Sequence, residues 1–358
     1  MTISNTSTKT TTLTRSDIWF NDGNIILVAG SFAFKVHGGQ LQRHSEVFEG
    51  MFDILQPSEQ DAVDGCPSVE LSDSPDDLYH FLCALYDGLH FSAPRPVHFP
   101  RIAGSLRLST KYIVPHLRQQ CLERLTLDWP CTLEGWDARE LEALTSKGVY
   151  SPRQYSPHPV LIIELAIELA LDHLLPSAFY DLSRYAPTKI MYGTPGIKSA
   201  LVSPNKEPRY VCLSNQLLTR TFQGRESAQR FLINFLVSHV GTRKPSANCL
   251  FRRNCPSHPC IQAFREIYLN MFRCIGGIDS GRDGDPLFSL AQGMELLTRP
   301  DRTEGERARA LMCGPCKVDF LDDFARGRET AWMHLPAWFG LEEESRQEGW
   351  GGNSEMDE

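Results

Sequence analysis

Several things are missing from this sequence, and each absence removes a class of function. No stretch supplies the run of about 7–15 apolar residues that a secretory signal needs. The most apolar segment, Val160 to Leu175, is broken by Glu164, Glu168 and Asp172 and is too short and too charged to span a bilayer. No membrane partner is expected, and the chain is expected to be intracellular, in cytoplasm or nucleus. Adjacent basic residues occur only at Arg243-Lys244 and Arg252-Arg253. No basic strip with interleaved aromatics forms, so nucleic acid is not expected as a general partner. The chain has no G-x-x-x-x-G-K-[ST], H-E-x-x-H, G-x-S-x-G or G-x-G-x-x-G, and no repeat of fixed period. No catalytic set is expected.

What is present is ordinary globular composition, 41 % hydrophobic and 22 % charged, enough to bury a core. The net charge is −8, and most of it sits between Glu342 and Glu358. Length and composition suggest four regions. Residues 1–15 read as a disordered polar arm, 16–130 as a small domain, 131–341 as a mostly helical region, and 342–358 as an acidic disordered tail. The expected fold class is α+β.

Local chemistry fills in the first domain. Ile25–Ala29 and Phe32–Val36 flank Gly30-Ser31, the chemistry of a type II′ hairpin. Ser45 is placed to cap a helix over 46–52. The stretch 56–67 reads as a polar loop before a short strand at Val69. Ser74-Pro75-Asp76-Asp77 starts a helix, with a cap, a proline at N1 and acids at the positive end. Further helices are expected near 101–111 and 115–127. Beyond these, helices are expected over 160–175, 226–240 and from Val318 to Pro336. The 187–208 stretch reads as a loop. Carboxylates 164, 168 and 172 fall four apart, on one stripe of the 160–175 helix, and read as a solvated face.

The stretch Asp17 to Pro130 resembles the BTB/POZ domain. The resemblance is carried by Asp17-Ile18, the hairpin Ile25–Val36, Phe34-Lys35-Val36-His37, then Leu41, Ser45, Val47-Phe48, Met51-Phe52 and the helix Asp77–Tyr86. "WFNDGNIILVAG", "GCPSVELSDSPDDL", "LYDG" and "LSTKYIVPHLR" are similar to BTB proteins abundant in mushroom-forming fungi. So are Gly224–Gln229, the pair Cys313/Cys316, and Leu335–Leu341. The resemblance implies a small module of helices packed with short strands. It also implies protein–protein association as the function, often as a homodimer, without catalysis. The expected interaction surface is Asp17, Ile18 and Phe20 with Leu41, His44, Val47 and Phe48 of the first helices. Adaptors of cullin-type ubiquitin ligases often carry an apolar-x-Glu signature in the loop before the strand of Val69. Here that loop holds only Glu59, with Pro57 two residues earlier, which departs from the adaptor pattern. His37 is expected to be a buried, hydrogen-bonded structural histidine.

Chemistry concentrates in the last third. Eleven cysteines in an intracellular chain are expected to be thiols or metal ligands. Cys313-Gly-Pro-Cys316 is a C-x-x-C knuckle, able to place two thiolates on one ion. With Cys255 and Cys260 it would make a four-cysteine structural zinc site, and Cys249 or His258 are substitutes. The competing expectation is a set of small buried thiols near helix starts. The sequence thus points to a non-catalytic interaction module that self-associates or binds partners through its first domain. Three other roles stay open: adaptor of a cullin-type ligase, transcriptional regulator with a zinc-supported C-terminal region, or an enzyme of unrecognised type with Glu164, Glu168 and Asp172 as its candidate cluster.

Overall fold

The computed structural model describes residues 13–54, 62–90, 98–201, 207–251, 258–275, 284–341 and Trp350. Most of the acidic tail and the stretch holding Cys255 therefore lie outside the described residues. The chain forms two compact units. No described helix is long and apolar enough to cross a membrane.

The first unit is built on a five-stranded sheet of order β1-β3-β2-β5-β4. Its strands are β1 (Thr14–Trp19), β2 (Ile25–Ala29), β3 (Phe32–Val36), β4 (Ala62–Val63) and β5 (Cys66–Leu71). β2 and β3 form the expected antiparallel hairpin, with Ala29 opposite Phe32. At its turn Gly30 has φ 55° while Ser31 stays out of the left-handed region, the type II′ arrangement. β5 returns parallel to β2, and β1 runs parallel to β3. β1 begins inside the stretch expected to be a polar arm, because Thr14 and Arg15 pair with Phe32 and Ala33. The expected 56–67 loop also holds structure: β4 pairs antiparallel with β5. Asp64 and Gly65 both take positive φ, 52° and 73°, as a type I′ Asp-Gly turn requires.

Helices α1 (Gly38–His44), α2 (Glu46–Ile54), α3 (Pro75–Asp87), α4 (Phe99–Lys111) and α5 (Pro115–Asp128) complete this unit. Ser45 accepts from Phe48 N–H at 3.2 Å and donates to Tyr112 O at 2.5 Å. One hydroxyl thus caps α2 and ties it to the end of α4. Ser74 caps α3 through Asp77 N–H. The core combines Leu27, Phe34 and Val36 of the sheet with Leu41, Phe48, Leu78, Phe81, Tyr112 and Leu117. The unit also recovers two later segments, 142–157 and 195–210, so the boundary expected at 130 is not a single cut. The second segment is tied down by Asp76, whose carboxylate accepts from Ser199 Oγ at 2.8 Å and Ala200 N–H at 2.6 Å.

The second unit is helical: α6 (Leu133–Glu142), α7 (Pro159–Leu169), α8 (Leu175–Ser183), α9 (Pro187–Tyr192), α10 (Asn215–Phe235), α11 (Pro259–Ile275), α12 (Pro286–Thr298), α13 (Glu306–Leu311), α14 (Gly314–Met333) and α15 (Leu335–Trp338). The 187–208 stretch, expected to be loop, therefore opens with a short helix. The helix expected over 160–175 stops at Leu169, where Ala170 takes φ 52° and Leu171 N–H bonds back to Ala166 O. This is a Schellman stop with alanine in the left-handed position. Asp172 consequently leaves the Glu164/Glu168 stripe and sits in a separate 3₁₀ turn.

A buried ionic cluster locks one side of this unit. Arg184 reaches Asp181 at 2.6 Å, Glu140 at 2.8 Å and Asp285 at 3.1 Å. Arg139 reaches Asp181 at 2.6 Å, and its guanidinium lies over Trp129 and Trp136. Asp285 also accepts from Tyr180 O–H and caps α12 at Phe288 N–H. Burial works to raise the Glu140 carboxyl, but Arg184 and Arg139 outweigh it and hold Glu140 below its ordinary value. Its contribution is therefore complete above the unfolded carboxylate value and is lost as pH falls through the lower folded one. Removing one partner of a buried pair leaves its neighbours uncompensated. Asp181→Ala is expected to cost about 3 kcal/mol in urea unfolding, and a loss under ~0.5 kcal/mol would show that the cluster does not hold the unit together.

Candidate metal centre

Three stretches of chain meet inside the core of the second unit, and each brings sulfur. The 246–251 turn supplies Cys249, the first turn of α11 supplies Cys260, and the start of α14 supplies Cys313 and Cys316. Pro259 and Pro315 each lie in the opening turn of their helix, where the missing N–H is harmless. The positive ends of α11 and α14 therefore face the same cluster, an arrangement that favours thiolate.

All four Sγ atoms lie within 4.8 Å of one another. Cys249 stands 3.7 Å from Cys313 and 3.9 Å from Cys260. Four sulfurs tetrahedral about an ion at 2.3 Å have edges of ~3.8 Å, so these spacings match one shared ion. Backbone N–H groups support the sulfurs as well. Ser246 N–H donates to Cys316 Sγ at 3.3 Å, and Cys313 N–H donates to Cys260 Sγ at 3.4 Å. Cys260, Cys313 and Cys316 are buried; Cys249 is half-buried. Burial pushes the Cys260 thiol up to about 11 and raises Cys316 as well. Burial also works upward on Cys313, but N–H groups of Leu250 and Cys316 outweigh it and bring this thiol down to about 7. Cys313 is thus the first of the three to ionise.

Of the four ligands expected from sequence, Cys260, Cys313 and Cys316 converge. Cys255 lies outside the described residues, and Cys249, expected as a substitute, completes the set. His258, the other substitute, is buried with Nε2 3.9 Å from Cys249 Sγ. Its Nδ1 has no hydrogen-bond partner among the described residues. Sequence spacing could not rank Cys249 against Cys255, because the 246–251 turn is positioned by contacts distant in sequence. Arg243 is the chief of these: it pairs with Asp323 at 2.6 Å and lies over Phe264 and Phe320.

The expected interaction surface divides. Asp17 is exposed, and Ile18, Phe20, His44 and Val47 are half-buried. Leu41 and Phe48 are 0 % exposed and belong to the core, because α1 turns Leu41 inward and Phe48 stacks on Tyr112 at 4.3 Å. They cannot form surface in this fold. His37 is half-buried rather than sealed; its Nδ1 lies 3.1 Å from Tyr86 Oη and its Nε2 3.2 Å from Asp22. Sequence proximity did not reveal these partners, since Tyr86 lies 49 positions away. Glu164 and Glu168 are exposed on α7.

No protein-family model matches this chain, and no curated protein matches it.

The four-sulfur geometry has a direct check. After metal-replete expression, elemental analysis is expected to find about one divalent metal per chain, and less than ~0.2 would exclude the site. Cys316→Ser is expected to lose most of that metal.

Proposed function

We propose that this protein acts by binding other polypeptides and not by transforming a small molecule. In this reading the first unit is a BTB/POZ-like association module. The second is a helical platform clipped together by a structural zinc on Cys249, Cys260, Cys313 and Cys316. One observation carries the reading most. The chain order of β2–β3 hairpin, two short helices, parallel return strand and three packed helices agrees with the module that the sequence resemblance implies.

Surface chemistry supports association. Sheet order leaves β1 at an edge, and an edge strand offers unpaired backbone groups to another chain. Beside it, Ile18, Phe20 and Val47 keep apolar surface partly open while packing on the core. The zinc assignment rests on the donor set. Four thiolates are soft ligands that select zinc over hard cations. They also fill all four tetrahedral positions, which leaves none for a substrate and marks a structural site.

Light scattering of the full chain is expected to give twice the chain mass at high micromolar concentration; a strict monomer there overturns self-association through the first unit. Ile18→Asp is expected to weaken the dimer by roughly tenfold or more with the native circular dichroism spectrum kept.

A further inference from the structure

Trp350 is the single residue described beyond Leu341, and it lies flat on Trp332. The ring centroids are 4.9 Å apart with planes 18° from parallel. The indole N–H of Trp350 donates to the backbone carbonyl of Trp332 at 3.2 Å.

That carbonyl is available for a reason written in the sequence. In a helix the carbonyl of residue i accepts from the N–H of residue i+4. Four positions after Trp332 stands Pro336, which has no N–H. The cap N–H of His334 is shared between Trp332 O and Thr330 O, with the latter at 3.1 Å. The end of α14 thus presents an under-used acceptor next to a large aromatic face. Trp332 is itself fixed: its Nε1 donates to Cys131 O at 3.1 Å, its ring lies 5.7 Å from Trp136, and it is 1 % exposed. The Cys131 and Trp136 contacts hold the platform without Trp350.

Among the neutral aromatic side chains, indole satisfies both features with the broadest face. Phenylalanine stacks but donates nothing, and tyrosine carries its donor at the far tip of the ring. Indole places an N–H on the edge of a broad flat face. Trp350 is the only aromatic residue in 342–358, flanked by Gly349, Gly351 and Gly352 among carboxylates. The segment therefore has one anchor side chain with little bulk beside it.

We propose that Trp332 and the carbonyl freed by Pro336 form a docking site for a tryptophan in a short, acidic, glycine-flanked segment. The ligand is supplied by this chain itself, with Trp350 as a tethered occupant. Eight residues, 342–349, connect it to the body, and a short tether gives an effective concentration on the order of 1 mM. A free segment that binds at tens of micromolar would accordingly be held in place by its tether. This depends neither on a metal nor on self-association of the first unit.

The probe is a fluorescein-labelled peptide of residues 342–358, titrated by anisotropy against the native chain and full-length Trp350→Ala. On the Trp350→Ala chain, saturable binding in the range of roughly 10–100 µM is expected. The native chain is expected to bind at least ~10-fold more weakly, because its own segment competes. A peptide carrying Trp350→Phe is expected to lose about tenfold or more on the Trp350→Ala chain. The proposal is overturned by absence of saturable binding to Trp350→Ala up to ~1 mM. Equal binding to both chains, or equal binding of the two peptides, overturns it as well. Trp350 lies outside the core, so Trp350→Ala is expected to keep the native circular dichroism spectrum.

Discussion

Convergence of four sulfur atoms at one point, three of them on buried residues, is the constraint around which the second unit is arranged. The sulfurs come from three stretches, with Cys249 and Cys260 11 positions apart and Cys260 and Cys313 53 apart. They meet only because α11 and α14 start at the same place and the turn before Cys249 is held against them. Cys260, Cys313 and Cys316 belong to the same apolar cluster as Phe264, Phe320 and Phe324, so the core and the site form one body. Small polarizable thiols satisfy both demands. They pack like aliphatic groups while their charge is off, and they accept backbone N–H groups and helix ends when it is on.

A different principle governs the first unit. Its sheet is narrow and its helices short, so few residues hold each element. The hydroxyl of Ser45 joins two helices, and the carboxylate of Asp76 recovers a segment more than 120 positions away. With so little interior, a small domain keeps much of its apolar surface near solvent. Half-covered Ile18, Phe20 and Val47 follow from that geometry, and they are the residues that the association proposed here would use.

Short-range chemistry was legible in the sequence: the Gly30-Ser31 turn, the Ser45 and Ser74 caps and the α4 and α5 spans were all written in local residue types. Long-range placement was less so. In α14 the apolar pattern puts Val318 inward, yet Val318 is 57 % exposed, and the buried stripe is Cys316, Phe320, Phe324, Gly327 and Ala331. The phase is set by the helix start at Gly314, and so by the cysteine cluster, not by hydropathy alone. β4 was hidden in the expected 56–67 loop because two residues are too few to show alternation; the Asp64-Gly65 dipeptide is the turn chemistry that locates it. Three of the four converging cysteines could be named from knuckle spacing and neighbourhood. The fourth depends on which turn the fold presses against the helix ends, a tertiary fact that no local pattern encodes.

α14 is bracketed by two prolines, Pro315 at its entry and Pro336 just past its exit. Its 20 residues make a rod of about 30 Å, with sulfur at one end and the stacked indoles at the other. Each end carries its own anchors: backbone N–H groups hold the sulfurs, while Trp332 is fixed by Cys131 O and the Trp136 ring. Loosening one terminus therefore leaves the opposite one seated, and the rod's two extremities work separately.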